Sequence, residues 1–139
     1  MNEDTKRPTI AAALEHPFDK PGEHSDYAVF PAELEKDPEV FFHGTQQSLL
    51  QPIREEGFRM PPPPKARSVS FSRTSGLALG YACDKRSEAS PEGVVIAVRF
   101  AADNRSERRE ESFGLHVDRF DPQPEIIGYC IVPAAYDHR

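Results

Sequence analysis

Tryptophan is absent from this 139-residue sequence, cysteine occurs only twice, and no apolar run approaches the ~18 residues of a membrane span. An integral membrane protein built on helices is thereby excluded. Cys83 and Cys130 match no zinc-ligand spacing and cannot form a disulfide framework, so they read as reduced, buried thiols of a cytosolic chain. The start, Met1-Asn2-Glu3-Asp4, lacks basic residues, and its longest apolar stretch is Ile10 to Leu14, which predicts no secretory signal. The expected location is the cytoplasm, or delivery as an effector by a route that reads no such signal. Also missing are GxGxxG, a Walker loop, HExxH and GxSxG, the common signatures of nucleotide, zinc-protease and hydrolase sites. No metal is expected. Positive charge is in short supply, with 17 Lys+Arg against 23 Asp+Glu and a net charge of −6. That balance disfavours wholesale non-specific binding to nucleic acid and leaves room only for a local basic patch.

What is plentiful is proline, at 14 residues, while hydrophobic residues reach only 37% and the mean hydropathy is −0.62. Part of the chain is therefore not core. Residues 1–38 carry Pro8, Pro17, Pro21, Pro31 and Pro38 with many charges and little periodicity. They read as a proline-rich arm that wraps the domain or is partly disordered, with one short helix near Thr9–Glu15. Residues 39–139 read as the folded domain. Val40-Phe41-Phe42 is a buried strand ending at His43-Gly44-Thr45. Thr45 can cap a helix running to Glu56 that Pro52 kinks or delays to about Ser48, and Gly57 stops it. Pro61 to Pro64 predict a stiff polyproline segment.

Ser68 to Ser72 alternates with period two and predicts a strand. Thr74 or Ser75 then caps a helix on which Leu77 and Tyr81 lie one turn apart. Val94 to Phe100 is the clearest strand, expected to be central and buried on both faces, as is Ile126 to Val132. Ala101 to Glu111 reads as a charged loop in which Arg105, Arg108 and Arg109 are solvated among glutamates. Ser112 to Val117 is a further strand. The total, at least five strands and two early helices, predicts an α+β domain rather than a doubly wound one.

Singly these residues are unremarkable, because a histidine before glycine is usually a turn residue and a helix tyrosine is usually core. Their order is more specific. Strand–His43-Gly44-Thr45–helix–Gly57-Phe58-Arg59, then Ser70-Phe71-Ser72, the helix to Tyr81, Gly93-Val94-Val95-Ile96 and a late-strand glutamate, Glu125, resemble the ADP-ribosyltransferase superfamily. The resemblance is to its diphtheria-toxin and poly-ADP-ribose-polymerase-like branch, with a His–Tyr–Glu signature, and covers about residues 40–132. Ser70 stands where that branch has its second-strand tyrosine. Ser70-Phe71-Ser72 and Gln123-Pro124-Glu125 are similar to the Ser-x-Ser and Gln-x-Glu features of the cholera-toxin-like branch.

The resemblance implies a split β-sandwich of two mostly antiparallel sheets with flanking helices, acting as a monomer. It implies a mono-ADP-ribosyltransferase of toxin or effector kind, with NAD as co-substrate, nicotinamide as the released product and a protein or nucleic-acid acceptor. In that scheme His43 hydrogen-bonds the adenosine ribose, the Gly44 backbone binds the carboxamide, and Tyr81 stacks on nicotinamide. Thr45, Phe71 and Ser72 line the cofactor site, with Ser70 among the catalytic groups. Arg59 favours the pyrophosphate, and Lys65, Arg67 and Arg73 lie near the cleft. Glu125 holds the nicotinamide ribose and stabilises the developing cation, while Gln123 faces the acceptor. The enzyme reading requires His43, Gly44, Ser70, Tyr81 and Glu125 to share one pocket. Two alternatives stand beside it: an interaction module that binds NAD or ADP-ribose without chemistry, and an RNA 2′-phosphotransferase of the same fold.

Overall fold

The computed structural model describes residues 14–60 and 68–137. Among the described residues there are seven strands: β1 (Leu14–Glu15), β2 (Val40–Gln46), β3 (Val69–Ser72), β4 (Gly93–Arg99), β5 (Glu107–Glu111), β6 (Gly114–Arg119) and β7 (Glu125–Val132). The described residues also hold the α-helices α1 (Ala32–Glu35), α2 (Leu50–Glu56) and α3 (Ser75–Lys85). The expected α+β class is observed, and the strands form one mixed sheet in the order β1-β7-β4-β2-β3-β6-β5. β1 runs parallel to β7, and the other pairs are antiparallel.

The expectation of two separate packed sheets is corrected to this single sheet, although its middle is thinly joined. β2 and β4 are in register over seven residue pairs, whereas β2 meets β3 at the single pair Phe42↔Ser72. Past that point β2 and β3 no longer pair, and the His43 side chain bonds the Ser70 carbonyl across the gap. That gap is where the cavity described below opens.

Alternation along β2 and β4 divides the core. Phe41, Val94, Ile96 and Val98 pack on one face with Leu50 and Ile53 of α2 and with Val69, Phe71, Leu115 and Val117. Val40, Phe42, Val95 and Ala97 pack on the other face with Ala78, Leu79 and Ala82 of α3. β4 is buried on both faces, as its apolar run predicts. β7 departs from that expectation: its burial alternates, because only one of its faces is fully covered.

Residues 14–38 pack against this core. Phe30 is buried and stacks on Phe42 at 5.5 Å, and Phe18 meets Tyr136 edge-on at 4.9 Å. Most of the helix expected near Thr9–Glu15 lies outside the described residues, but Leu14 and Glu15 are a strand held by the edge of β7. Pro61 to Pro64, Lys65 and Arg67 also lie outside them. The helix expected from Thr45 begins later. β2 continues through Gln46, a 3-10 turn spans Gln47–Leu49, and α2 starts at Leu50. Pro52 then falls in the first turn, where its missing N–H removes no helical bond. Gly57 ends the helix at φ 89°, a conformation that favours glycine. Thr74 caps α3 by accepting from the Leu77 N–H at 3.2 Å.

The charged stretch expected to be a loop contains β5. Its side chains are largely exposed at the sheet edge, where cross-strand ion pairs replace apolar burial: Arg109 to Asp118 at 2.8 Å and Arg119 to Glu107 at 3.0 Å. A charged edge strand carries no apolar period, which is why the sequence pattern hides it.

Candidate functional site

Where β2 and β3 part, a cavity of about 580 Å³ opens. That is within the ~300–1,000 Å³ of small-molecule sites. Its walls come from β2, α2 and the chain after it, β3, α3 and the β5–β6 hairpin. Five large apolar side chains are exposed among the described residues, and four of them, Leu49, Leu77, Tyr81 and Phe113, line this cavity. Phe113 is 72% exposed. Concentrating exposed apolar surface at one concave site is the pattern of a ligand site and not of ordinary surface scatter.

His43 fills the gap in the sheet. Its Nδ1–H donates to the Ser70 carbonyl at 2.9 Å, standing in for a missing ladder bond. Because a carbonyl only accepts, this bond places the proton on Nδ1 and leaves Nε2 as an acceptor. Phe58 meets the ring edge-on at 5.1 Å and Phe71 lies at 5.4 Å. These contacts fix its plane, and burial pushes its pKa below 6.5, so the ring is neutral at pH 7.

Gly44 is required by close approach. A Cβ there would stand 1.9 Å from the Ala78 carbonyl oxygen and 2.8 Å from the Ala82 nitrogen. The absent side chain lets α3 lie against β2, which carries Leu77 and Tyr81 to the cavity wall.

On the opposite wall, Ser70 and His116 are direct partners in the β3–β6 register. Val69 and Phe71 enter the core, so the pleat turns Ser70 and His116 together to the other face. Ser70 Oγ lies 2.8 Å from His116 Nδ1, and His116 Nε2 lies 3.3 Å from a Glu111 carboxylate oxygen. Ser70, His116 and Glu111 all line the cavity. Sequence reasoning missed Glu111 and His116. Their segments are not adjacent to Ser70 in the chain, and nothing in either short pattern marks it as a site.

Of the residues expected here, His43, Gly44, Arg59, Ser70, Phe71, Ser72 and Tyr81 line the cavity. Arg59 also pairs with Glu56. Thr45 is buried in β2 opposite Val94 and is not part of the lining. Arg73 lies over the Phe41 ring at 4.3 Å, away from the lining. Gln123 is not part of the lining. Its amide is occupied by Phe58, accepting from the backbone N–H and donating to the carbonyl, both at 2.9 Å.

Glu125 is the main correction. It is in register with Arg99, whereas His43 is in register with Ile96, three residues along β4. An odd separation sends the two side chains to opposite faces, and ordinary sheet spacing puts the backbones about 14 Å apart. Glu125 does not line the cavity. Among the described residues Glu111 is the one carboxylate in the lining. Among the described residues, no three His, Cys, Asp or Glu side chains gather as a metal site, and no helix is long and apolar enough to cross a membrane. Comparison of the chain with protein-family models, curated proteins and solved structures finds no match.

Proposed function

We propose that the cavity is a nicotinamide-dinucleotide site and that the chain is a mono-ADP-ribosyltransferase in which Glu111, not Glu125, supplies the carboxylate. The observation that carries this reading is the convergence of His43, Gly44, Ser70 and Tyr81, distant in sequence, on one ligand-sized cavity. His43 Nε2 is an acceptor suited to a ribose hydroxyl, and the exposed Tyr81 ring offers a stacking face for nicotinamide. Cleaving the nicotinamide–ribose bond builds positive charge on the ribose, which the Glu111 carboxylate at the cavity wall stabilises.

The test is nicotinamide release from labelled NAD, run with binding calorimetry. His43→Ala and Tyr81→Ala weaken binding, since their contacts exist in the ground state. Glu111→Gln spares binding and lowers release by ~10²–10³-fold, the usual effect of removing one preorganised electrostatic group. A loss of that size from Glu125→Gln, with Glu111→Gln silent, overturns the assignment to Glu111. Absence of NAD binding overturns the whole reading.

The position of Glu125 and the engagement of Gln123 favour a second reading, a module that binds NAD or ADP-ribose without chemistry. Tight binding with no nicotinamide release above the buffer rate, in the presence of protein and nucleic-acid acceptors, selects it.

A further inference from the structure

The Ser70–His116–Glu111 chain has more chemistry in it than nucleotide binding uses. The Glu111 carboxylate lies 3.3 Å from Nε2 and only accepts, which favours the tautomer that carries its proton there. Nδ1 is then the lone-pair side, and Ser70 Oγ–H donates to it at 2.8 Å. A hydroxyl is thus paired with a base that has a carboxylate beside its far nitrogen, the set of groups that activates a serine nucleophile. Ser70 is exposed to the cavity, and its hydroxyl has no other hydrogen-bond partner among the described residues. Lys85 and Arg59 line the same cavity as candidate counter-charges for an oxyanion.

We propose that Ser70 is a nucleophile for acyl transfer, acting on esters whose acyl or aryl part is apolar. The apolar preference follows from Leu49, Leu77, Tyr81 and Phe113 at the cavity wall. Ser70 Oγ attacks the ester carbonyl while its proton passes to His116 Nδ1. The tetrahedral adduct collapses, the alcohol leaves with that proton, and an acyl-Ser70 ester remains. Water then attacks the acyl group, giving its proton to His116, and the carboxylic acid departs as Ser70 recovers its hydrogen. The net reaction is ester plus water to acid plus alcohol, with no redox partner.

The proposal goes beyond the dinucleotide reading and does not depend on NAD. Its test is a fluorophosphonate probe on the full-length chain, read by intact mass and peptide mapping, with p-nitrophenyl butyrate turnover alongside. One adduct on Ser70 is expected, together with ester hydrolysis that disappears in Ser70→Ala. His116→Asn is expected to slow labelling by at least ~100-fold, within the range for losing a general base. Glu111→Gln is expected to slow it less while leaving Ser70 as the labelled site. Circular dichroism and thermal unfolding of each variant separate loss of the base from loss of the fold. No adduct on Ser70 in the folded parent, or equal labelling of parent and folded His116→Asn, overturns the proposal. Hydrolysis that persists in Ser70→Ala also overturns it.

Discussion

Gly44→Ala adds one methyl group at the tightest contact between β2 and α3. The new Cβ would stand 1.9 Å from the Ala78 oxygen, where ordinary contact begins at 3.4 Å, so the helix backbone must retreat by about 1.5 Å. Ala78, Leu79 and Ala82 are fully buried in that contact, and no flexible side chain can absorb the shift. Overpacking of this kind costs about 1–3 kcal/mol, and the obstacle here is backbone, so about 3 kcal/mol is expected. For a chain of this length that corresponds to a fall in Tm of roughly 10 °C. Thermal unfolding by circular dichroism measures it. Gly22→Ala is the control, because its Cβ would meet only the His24 ring, at 3.2 Å, and that side chain can turn away. If Gly44→Ala melts within about 2 °C of the parent, the close approach of α3 does not govern this interface, and the packing account of Gly44 is wrong.

Gln123→Ala removes both hydrogen bonds to Phe58 and should cost about 1–3 kcal/mol at ~0.5–1.5 each, read by urea unfolding. An unchanged urea midpoint would show that the chain after α2 is held by other contacts. His43 titrates below 6.5 in the folded state, so the unfolded chain takes its proton first as pH falls. The stability it contributes is present above pH 6.5 and is lost as pH drops through the folded value. His43→Asn should flatten that part of the Tm–pH curve, and an identical slope would count against a half-buried ring held neutral by desolvation. Burial pushes the Cys130 thiol up to about 12, so a thiol reagent at pH 8 should reach Cys83 first and Cys130 only after unfolding. Equal reaction rates for the two thiols in the native protein would contradict that order.

Much of the framework was legible because its signals are local. The run Val94 to Phe100 could only be a doubly buried strand, Thr74 is a capping residue, and Gly57 sits where α2 must stop. His43, Gly44, Ser70 and Tyr81 were legible as a set through their order along the chain. Three things were not. β5 is recognised by its partner across the sheet edge, not by apolar period. The reach of Glu125 depends on register, since one residue of slip exchanges the faces of a strand. The partnership of Ser70 with His116 also belongs to the β3–β6 register and leaves no mark in either segment.

The thin join between β2 and β3 bears on how the protein folds. β1, β2, β4 and β7 lie on one side of that join, and β3, β5 and β6 on the other. From β2 onward the chain passes from side to side four times: into β3, back to β4, out to β5 and β6, and back to β7. Neither side is a contiguous stretch, so neither can be synthesised and folded before the other. The loop-closure entropy of the β4–β7 pairing is lost only after the β5–β6 hairpin has been threaded between them in sequence. Folding should therefore be slow for a chain of this length and all-or-none, with the weakest lateral seam of the sheet breaking only when the whole sheet breaks.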